Sequence, residues 1–408
     1  MKEILFTIIG SLIGSFLGLL PGFHVNNIIP FLLTLPFLPL DLSIFIVSIA
    51  VSQIVSSFLP SVFLGAPESE NALAVLPGHK MLLEGRGREA VKLVLVGSLL
   101  GAIFTILLSL ATSSYFKMLY KISRPFIHYL IILTIALMLL TEKSFRRIVR
   151  SIFVLLLSGL FGLLIFNFPL ISQNIVLFPA LSGLFGASTL LTSLSERTKI
   201  PKQKRKQEIM LKFDKVAFCS LLGSFAGILV GFLPAIGISQ AAIMVQYLAG
   251  IREVRSFLVT LGSINVANEI FSLFCLYLVK NPRSGASVAI QKIMGKLVFE
   301  DVLLFMLVSI TSLGISSIIT LLLSKEFSKL VERINYKFLT LFALSFLTLM
   351  VFIFSGLGGL LIFLTATSIG FTTIKLKVKR SYCMGVLLIP SILFFSKLTP
   401  YVLKILRI

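Results

Sequence analysis

The segment INVANEIFSLF places Asn265, Asn268 and Glu269 within an otherwise apolar run. A carboxylate in such surroundings is costly and marks an ion or proton pathway, so Glu269 and its two amide neighbours predict a site for a coupling cation or a proton. The alternative is a plain ion pair between Glu269 and Arg283. Arg283 and Ser284 follow Pro282 in KNPRSGAS. An arginine beside the amides of a helix start suits an anionic substrate. A guanidinium that snorkels to the interface is the competing reading. In the first half, APESEN sets Glu68, Ser69, Glu70 and Asn71 in a corresponding stretch, with Pro67 opposite Pro282 and Ser69 opposite Ser284.

Two more stretches carry polar side chains where apolar ones are the rule: GLLPGFHVNN and GFLPAIGISQ. Pro21 and Pro234 cannot continue a helical hydrogen-bond ladder, and the small residue after each permits a tight turn. A helix restarting there exposes N–H groups and a partial positive charge, a ready site for carboxylate or phosphate. Asn26, Asn27, Ser239 and Gln240 can cap such restarts and also line a wet cavity, with Gly22 and Gly237 beside them. His24 faces Gly237 and so has no counterpart. It is either locally hydrogen-bonded or a substrate or proton group.

These residues need elements to position them, and composition says which. The chain has 408 residues, of which 57% are hydrophobic and 13% charged, with a mean hydropathy of +1.04. Runs such as 94–111, 152–168, 303–323 and 338–354 approach or reach the ~20 apolar residues that cross a bilayer. Their apolar residues are continuous rather than alternating, which predicts helices and argues against a β-barrel. No cleavable signal peptide is evident. Lys and Arg number 37 against 16 Asp and Glu, a formal charge of +21. The basic residues lie mostly in short loops, so anionic headgroups rather than nucleic acid are the expected partners. Cys219, Cys275 and Cys383 are isolated and predict buried thiols, not a metal set. The sequence carries no P-loop, HExxH or GxSxG motif, so neither ATP-driven transport nor hydrolysis is indicated.

The chain is also written twice. Gly10, Ser11, Gly14, Gly18, Leu20 and Pro21 match Gly223, Ser224, Gly227, Gly231, Leu233 and Pro234, each pair 213 residues apart. SGLFGLLIF at 158–166 is echoed by SGLGGLLIF at 355–363. The basic stretch 196–215 separates a first transmembrane repeat, 1–195, from a second, 216–408, and is placed in the cytoplasm. The expected fold is an all-α polytopic membrane protein of two homologous repeats with broken or re-entrant helices about a pseudo-two-fold axis, inverted in the preferred reading. The glycine ladders predict close helix packing. The charges at 86–92 are expected to be solvated or lipid-facing, and His79 to be structural at the membrane surface.

GLLPGFHVNN, FLGAPESENALAVLPGHKMLLEGRG, GFLPAIGISQAA and VKRSYCMGVLLIP resemble, over nearly the whole chain, the large membrane subunit (TctA) of tripartite tricarboxylate transporters, in particular its archaeal stand-alone branch. The resemblance implies a secondary transporter in the plasma membrane that moves an organic anion with a cation gradient. Isolated His and Glu residues without a metal or nucleophile constellation argue against an enzyme, and no cofactor is expected beyond a coupling Na+ or H+. By motif position it assigns the substrate site to Gly22, His24, Asn26 and Asn27 with Ala235, Gly237, Ser239 and Gln240. The chain departs from the pattern in His24 and in Pro-Ala at 234–235. The alternative function is translocation of an anionic lipid carrier such as polyprenyl phosphate, which would suit Arg283 and helix ends. Expected partners are membrane lipids and a small anionic substrate, with a homodimer as one option. The sequence contains no periplasmic capture domain and does not identify a separate one.

Overall fold

Apolar segments in lipid satisfy their amides internally only as helices or closed barrels. The computed structural model is helical throughout its described elements. It describes residues 2–406 except 21–24, 66–74, 117, 119–121, 123, 141, 143, 168–169, 173–174, 196–200, 205–207, 233–236, 252, 281–283 and 334–335. The first half comprises α1 (Lys2–Leu17), α2 (Val25–Leu32), α3 (Pro39–Ser56), α4 (Phe58–Phe63), α5 (Val75–Leu83), α6 (Gly87–Thr112), α7 (Ile127–Leu140), α8 (Phe145–Asn167), α9 (Leu177–Leu181) and α10 (Ser188–Ser195). The second comprises α11 (Phe213–Phe232), α12 (Ile238–Leu248), α13 (Val254–Val279), α14 (Gly285–Met294), α15 (Phe299–Arg333), α16 (Tyr336–Lys375), α17 (Gly385–Phe395) and α18 (Thr399–Leu406). Seven described helical stretches are long and apolar enough to cross a membrane: Pro39–Phe63, Gly87–Thr112, Phe145–Asn167, Phe213–Gly231, Val254–Val279, Phe299–Leu330 and Thr340–Lys375. The chain is a multi-pass α-helical membrane protein.

Glycine sets the helix contacts, as the sequence suggested. A methyl group placed on Gly14 would fall 2.3 Å from the carbonyl oxygen of Ile49, and one on Gly227 2.6 Å from that of Ile264. Gly10 and Gly14 of α1 and Gly18 just after it meet Phe45, Ile49 and Gln53 of α3, while Gly223, Gly227 and Gly231 of α11 meet Thr260, Ile264 and Asn268 of α13. Both pairs ascend together, so α1 runs parallel to α3 and α11 to α13. Backbones this close leave no room for larger side chains and gain dispersion contact that lipid cannot replace.

Between the halves, α6 lies on α13: Gly97 meets Val259 and Gly101 meets Ser263. Correspondingly, α3 lies on α15 through hydroxyls. Ser52 Oγ donates to Ser312 O (3.3 Å), Ser316 Oγ to Ser52 O (2.9 Å), and Ser56 Oγ bonds both Ser316 Oγ and Thr320 Oγ1 at 3.1 Å. Both contacts are again parallel. The ring of Phe63 lies against Gly87, so α6 begins where α4 ends and runs back along α3. It follows that α13, parallel to α6, points opposite to α3. The two glycine-packed pairs therefore run in opposite directions.

The remaining helices form a flank. Residues Ser182–Ala187 widen into a π-helix packed on α16 through Gly183. Its carbonyls are met by Arg380, whose guanidinium donates to Leu184 O (2.6 Å), Phe185 O (2.9 Å) and the hydroxyls of Ser188 and Thr189. Within α16 the backbone leaves helical geometry at Gly356 (φ 61°, ψ −158°), a conformation essentially confined to glycine. The echoed motif at 158–166 lies in the uninterrupted α8. The three cysteines form no disulfide and are buried.

The charges at 86–92 correct the sequence reading. Glu89 is fully buried, paired with Arg86 (2.5 Å) and Arg255 (2.8 Å), and accepts from Met210 N (3.3 Å). An ion group this deep is stable only when its partners are in place. Here they come from the start of α6, the start of α13 and the segment between the halves. That segment is docked rather than loose. Gln203 accepts from Gly87 N (3.1 Å) and donates to Leu82 O (3.0 Å), Gln203 N donates to Glu332 (2.7 Å), and Lys204 N to Gly85 O (2.9 Å). His79 is buried in α5, bonded through Nδ1 to Val62 O (3.1 Å).

Gly97→Leu, whose first side-chain carbon would sit 2.1 Å from Val259 O, should destabilise the protein by about 1–3 kcal/mol or more. Gly314→Ala, in open space within α15, should stabilise it by roughly 0.4–1 kcal/mol; thermal unfolding in detergent measures both. Burial pushes the His79 imidazole below its ordinary range, with the Val62 bond opposing. The folded state therefore favours neutral His79, and its contribution to stability is present above the unfolded value near 6.5 and is lost as pH falls below it. His79→Gln should flatten that part of the melting-temperature profile between pH 7 and 5.

Candidate functional site

The site is built around two helices that begin inside the protein. The N–H of Val25, first residue of α2, donates to Gln53 Oε1 of α3 at 2.7 Å. Gln53 lies 14 residues into α3, roughly 21 Å from its start at 1.5 Å per residue. α2 thus starts near mid-span, and one amide exposed by the break is satisfied by a side chain from the next helix. α14 begins in the same way. Ser284 N donates to Ser272 Oγ (2.7 Å) and Ser287 Oγ (2.9 Å), while Ser284 Oγ accepts from Ser287 N (3.2 Å) and donates to Glu269 Oε1 (2.9 Å). This is a reciprocal capping box with a buried carboxylate attached to it.

Glu269 and Ser272 lie seven to ten residues before the end of α13 at Val279. The chain therefore leaves α13, turns back to their level by Ser284 and descends again through α14. Near its far end Gln291 donates to Lys280 O (3.3 Å). α2 and α14 descend side by side, with Val25, Ala286 and Ala289 in one apolar cluster with Ile46, Ile49 and Ala50 of α3. The neighbour that buries α2 is thus the hairpin helix of the other half. α12 packs instead on α11, α13 and α7. Two helix starts come together, each carrying partial positive charge and N–H donors.

Several expected residues are brought together: Ser284 touches Glu269, and Asn265, Asn268 and Glu269 share α13. Asn265 and Ser239 are buried, and neither Asn265 Oδ1 nor Ser239 Oγ has a hydrogen-bond partner among the described residues. Gly237 immediately precedes α12. Gly22, His24, Glu68, Ser69, Glu70, Asn71, Ala235 and Arg283 lie outside the described residues, as do the side chains of Asn26, Asn27 and Gln240. Gln53, Ser272 and Ser287 were not singled out from sequence. One signal was there: Gln53 is an amide in an apolar run, as Asn268 is. A separate cavity of about 320 Å³ between α7, α11 and α12 is lined only by apolar residues, among them Phe225, Leu229 and Met244. It offers an anion no donor side chain. Among the described residues no group of three or more His, Cys, Asp or Glu comes together.

Seven apolar spans around a helix restart and a hairpin tip define a multi-pass membrane protein of the broken-helix class. Residues 4–385 match the Tripartite tricarboxylate transporter TctA family, and the chain belongs to that family. It is similar to the uncharacterized protein MJ1079 of Methanocaldococcus jannaschii, at 34% identity over 407 residues, covering 97% of this chain and 100% of the relative. No solved structure matches it. The family is one of membrane transporters.

Gln53→Leu should leave the Val25 amide buried without an acceptor, at a cost of about 1–3 kcal/mol. We expect a lower melting temperature than wild type, and a milder loss in Gln53→Glu, which keeps an acceptor oxygen. Equal melting of Gln53→Leu and wild type would remove this role.

Proposed function

We propose that the protein is a cation-coupled secondary transporter of a small organic anion of the carboxylate class, held near mid-membrane by the starts of the broken helices. The observation that carries this reading is the convergence of α2 and α14, whose first residues share one cluster with the middle of α3. The remaining N–H donors of the two helix starts, in this reading, face a shared space, for which a carboxylate is a suitable occupant. In this reading Gly22, His24, Asn26 and Asn27 line it from the α2 side and Arg283 and Ser284 from the α14 side. Gly237, Ser239 and Gln240 contribute from the second break. Arg283 supplies the cationic group and Glu269 the coupling function.

We further read the two halves as inverted repeats. The identical glycine register of α1 on α3 and α11 on α13, together with their opposite directions, supports this. Inverted pairs of broken helices are a recurring design for alternating access about a fixed site. The family name supports a tricarboxylate-type substrate and lends nothing to the lipid-carrier alternative.

The test is uptake into vesicles reconstituted with the purified protein, preceded by a thermal-shift screen of carboxylates, phosphates and polyprenyl phosphate. We expect a carboxylate to stabilise the protein, and Arg283→Ala to abolish its uptake without altering the fold. Stabilisation by polyprenyl phosphate alone, or unchanged uptake in Arg283→Ala, would overturn the respective assignment.

A further inference from the structure

Asn265, Asn268, Glu269 and Ser272 fall at i, i+3, i+4 and i+7 of α13, so they form one stripe along a single helix face. The direction of the stripe is fixed, because Glu269 and Ser272 both bond Ser284 at the start of α14. Asn265 lies one turn beyond Glu269 on that face and is 0% exposed. Its amide is oriented by the bond from Nδ2 to Leu261 O (2.9 Å). That bond commits the donor end to the helix and leaves Oδ1, which has no hydrogen-bond partner among the described residues, as the outward acceptor. A buried acceptor without a donor costs on the order of 1–3 kcal/mol. An oxygen that attracts no donor, one turn from a carboxylate, is the environment a hard cation selects.

From this we propose that Asn265 Oδ1 and a carboxylate oxygen of Glu269 bind the coupling cation, and that this cation is a sodium ion rather than a proton. The inference rests on the cation-coupled reading above and gives that coupling a location and a chemistry. A sodium ion takes both oxygens as ligands, whereas a protonated Glu269 would offer Asn265 Oδ1 a single O–H; the experiment below separates the two. The stripe carries a single carboxylate, fewer than a divalent ion calls for. A divalent ion would leave surplus charge in a dry setting. The first half lacks the arrangement. In the common packing register, where Gly18 meets Gln53 as Gly231 meets Asn268, the matching positions of α3 are Ala50, Gln53, Ile54 and Ser57. Ala50 packs in the apolar cluster, and Gln53 Oε1 is committed to Val25. The stripe therefore provides one sodium site per chain, beside the α14 start.

The experiment is thermal unfolding of the purified full chain without any organic anion, with sodium chloride replacing choline chloride at constant ionic strength. Wild type should show a saturable rise in melting temperature with sodium. Asn265→Ala should raise the half-saturating concentration by about tenfold or more, equivalent to roughly 1.4 kcal/mol. Asn265→Asp, which keeps an oxygen, should still respond to sodium, and Glu269→Gln should not. Binding of radioactive sodium reads the same site should Asn265→Ala fold too poorly to melt. A wild-type melting temperature indifferent to sodium, or one that follows pH alone, overturns the proposal. So does an Asn265→Ala titration that coincides with wild type. Because no substrate is present, a sodium response survives failure of the carboxylate reading, while carboxylate stabilisation without a sodium response sinks the ion site alone.

Discussion

A helix that starts in the middle of an apolar layer leaves N–H groups that lipid cannot satisfy, and much of this structure is arranged to meet that requirement. At α2 the answer is an amide borrowed from α3, Gln53 to Val25. At α14 it is a ring of serines closed by a carboxylate, Ser284 with Ser272, Ser287 and Glu269. Both solutions draw on side chains of a neighbouring full-length helix, so the starts cannot move independently of α3 and α13. The polar groups of the candidate site are the same groups that make the breaks tolerable.

Those full-length helices are in turn held by contacts that contain almost no side chain. Gly14 sits against the backbone of Ile49 and Gly97 against that of Val259, with serine hydroxyls completing the contact between α3 and α15. Lipid solvates apolar side chains as well as protein does, so association depends on close backbone approach and on hydroxyls that find acceptors. The buried Glu89, gripped by arginines of two helices and a backbone amide, fastens the same bundle at one end.

Local features of this design are legible in the sequence. Pro21 and Pro234 mark the breaks, the glycine spacing marks the packed faces, and Glu269 declares itself by standing in an apolar run. Long-range features are not. Nothing in GLLPGFHVNN says that α2 will be buried against α14, because that contact joins opposite halves of the chain. Gln53 shows in the sequence only as an amide in an apolar run; its partner, the Val25 amide, is brought near by the fold alone. The charges at 86–92 misled because a polar stretch after a hairpin ordinarily faces water. Glu89 is instead covered by Arg255 and by the segment between the halves, neither of which is adjacent in sequence.

The way the halves grip one another bears on how the protein is made. α3 completes its hydroxyl contacts only with α15, and Ser52 and Ser312 are 260 residues apart. At synthesis rates of roughly 5–20 residues per second, α3 must wait on the order of tens of seconds for its partner to leave the ribosome. Over that interval its serines can turn to their own helix carbonyls, as Ser48 does to Ile44 in the finished protein. A run of small hydroxyl residues can remain in lipid, self-satisfied, until a late helix arrives to claim them. The serine-rich face of α3 is therefore as much a means of surviving the unfinished chain as of holding the finished one.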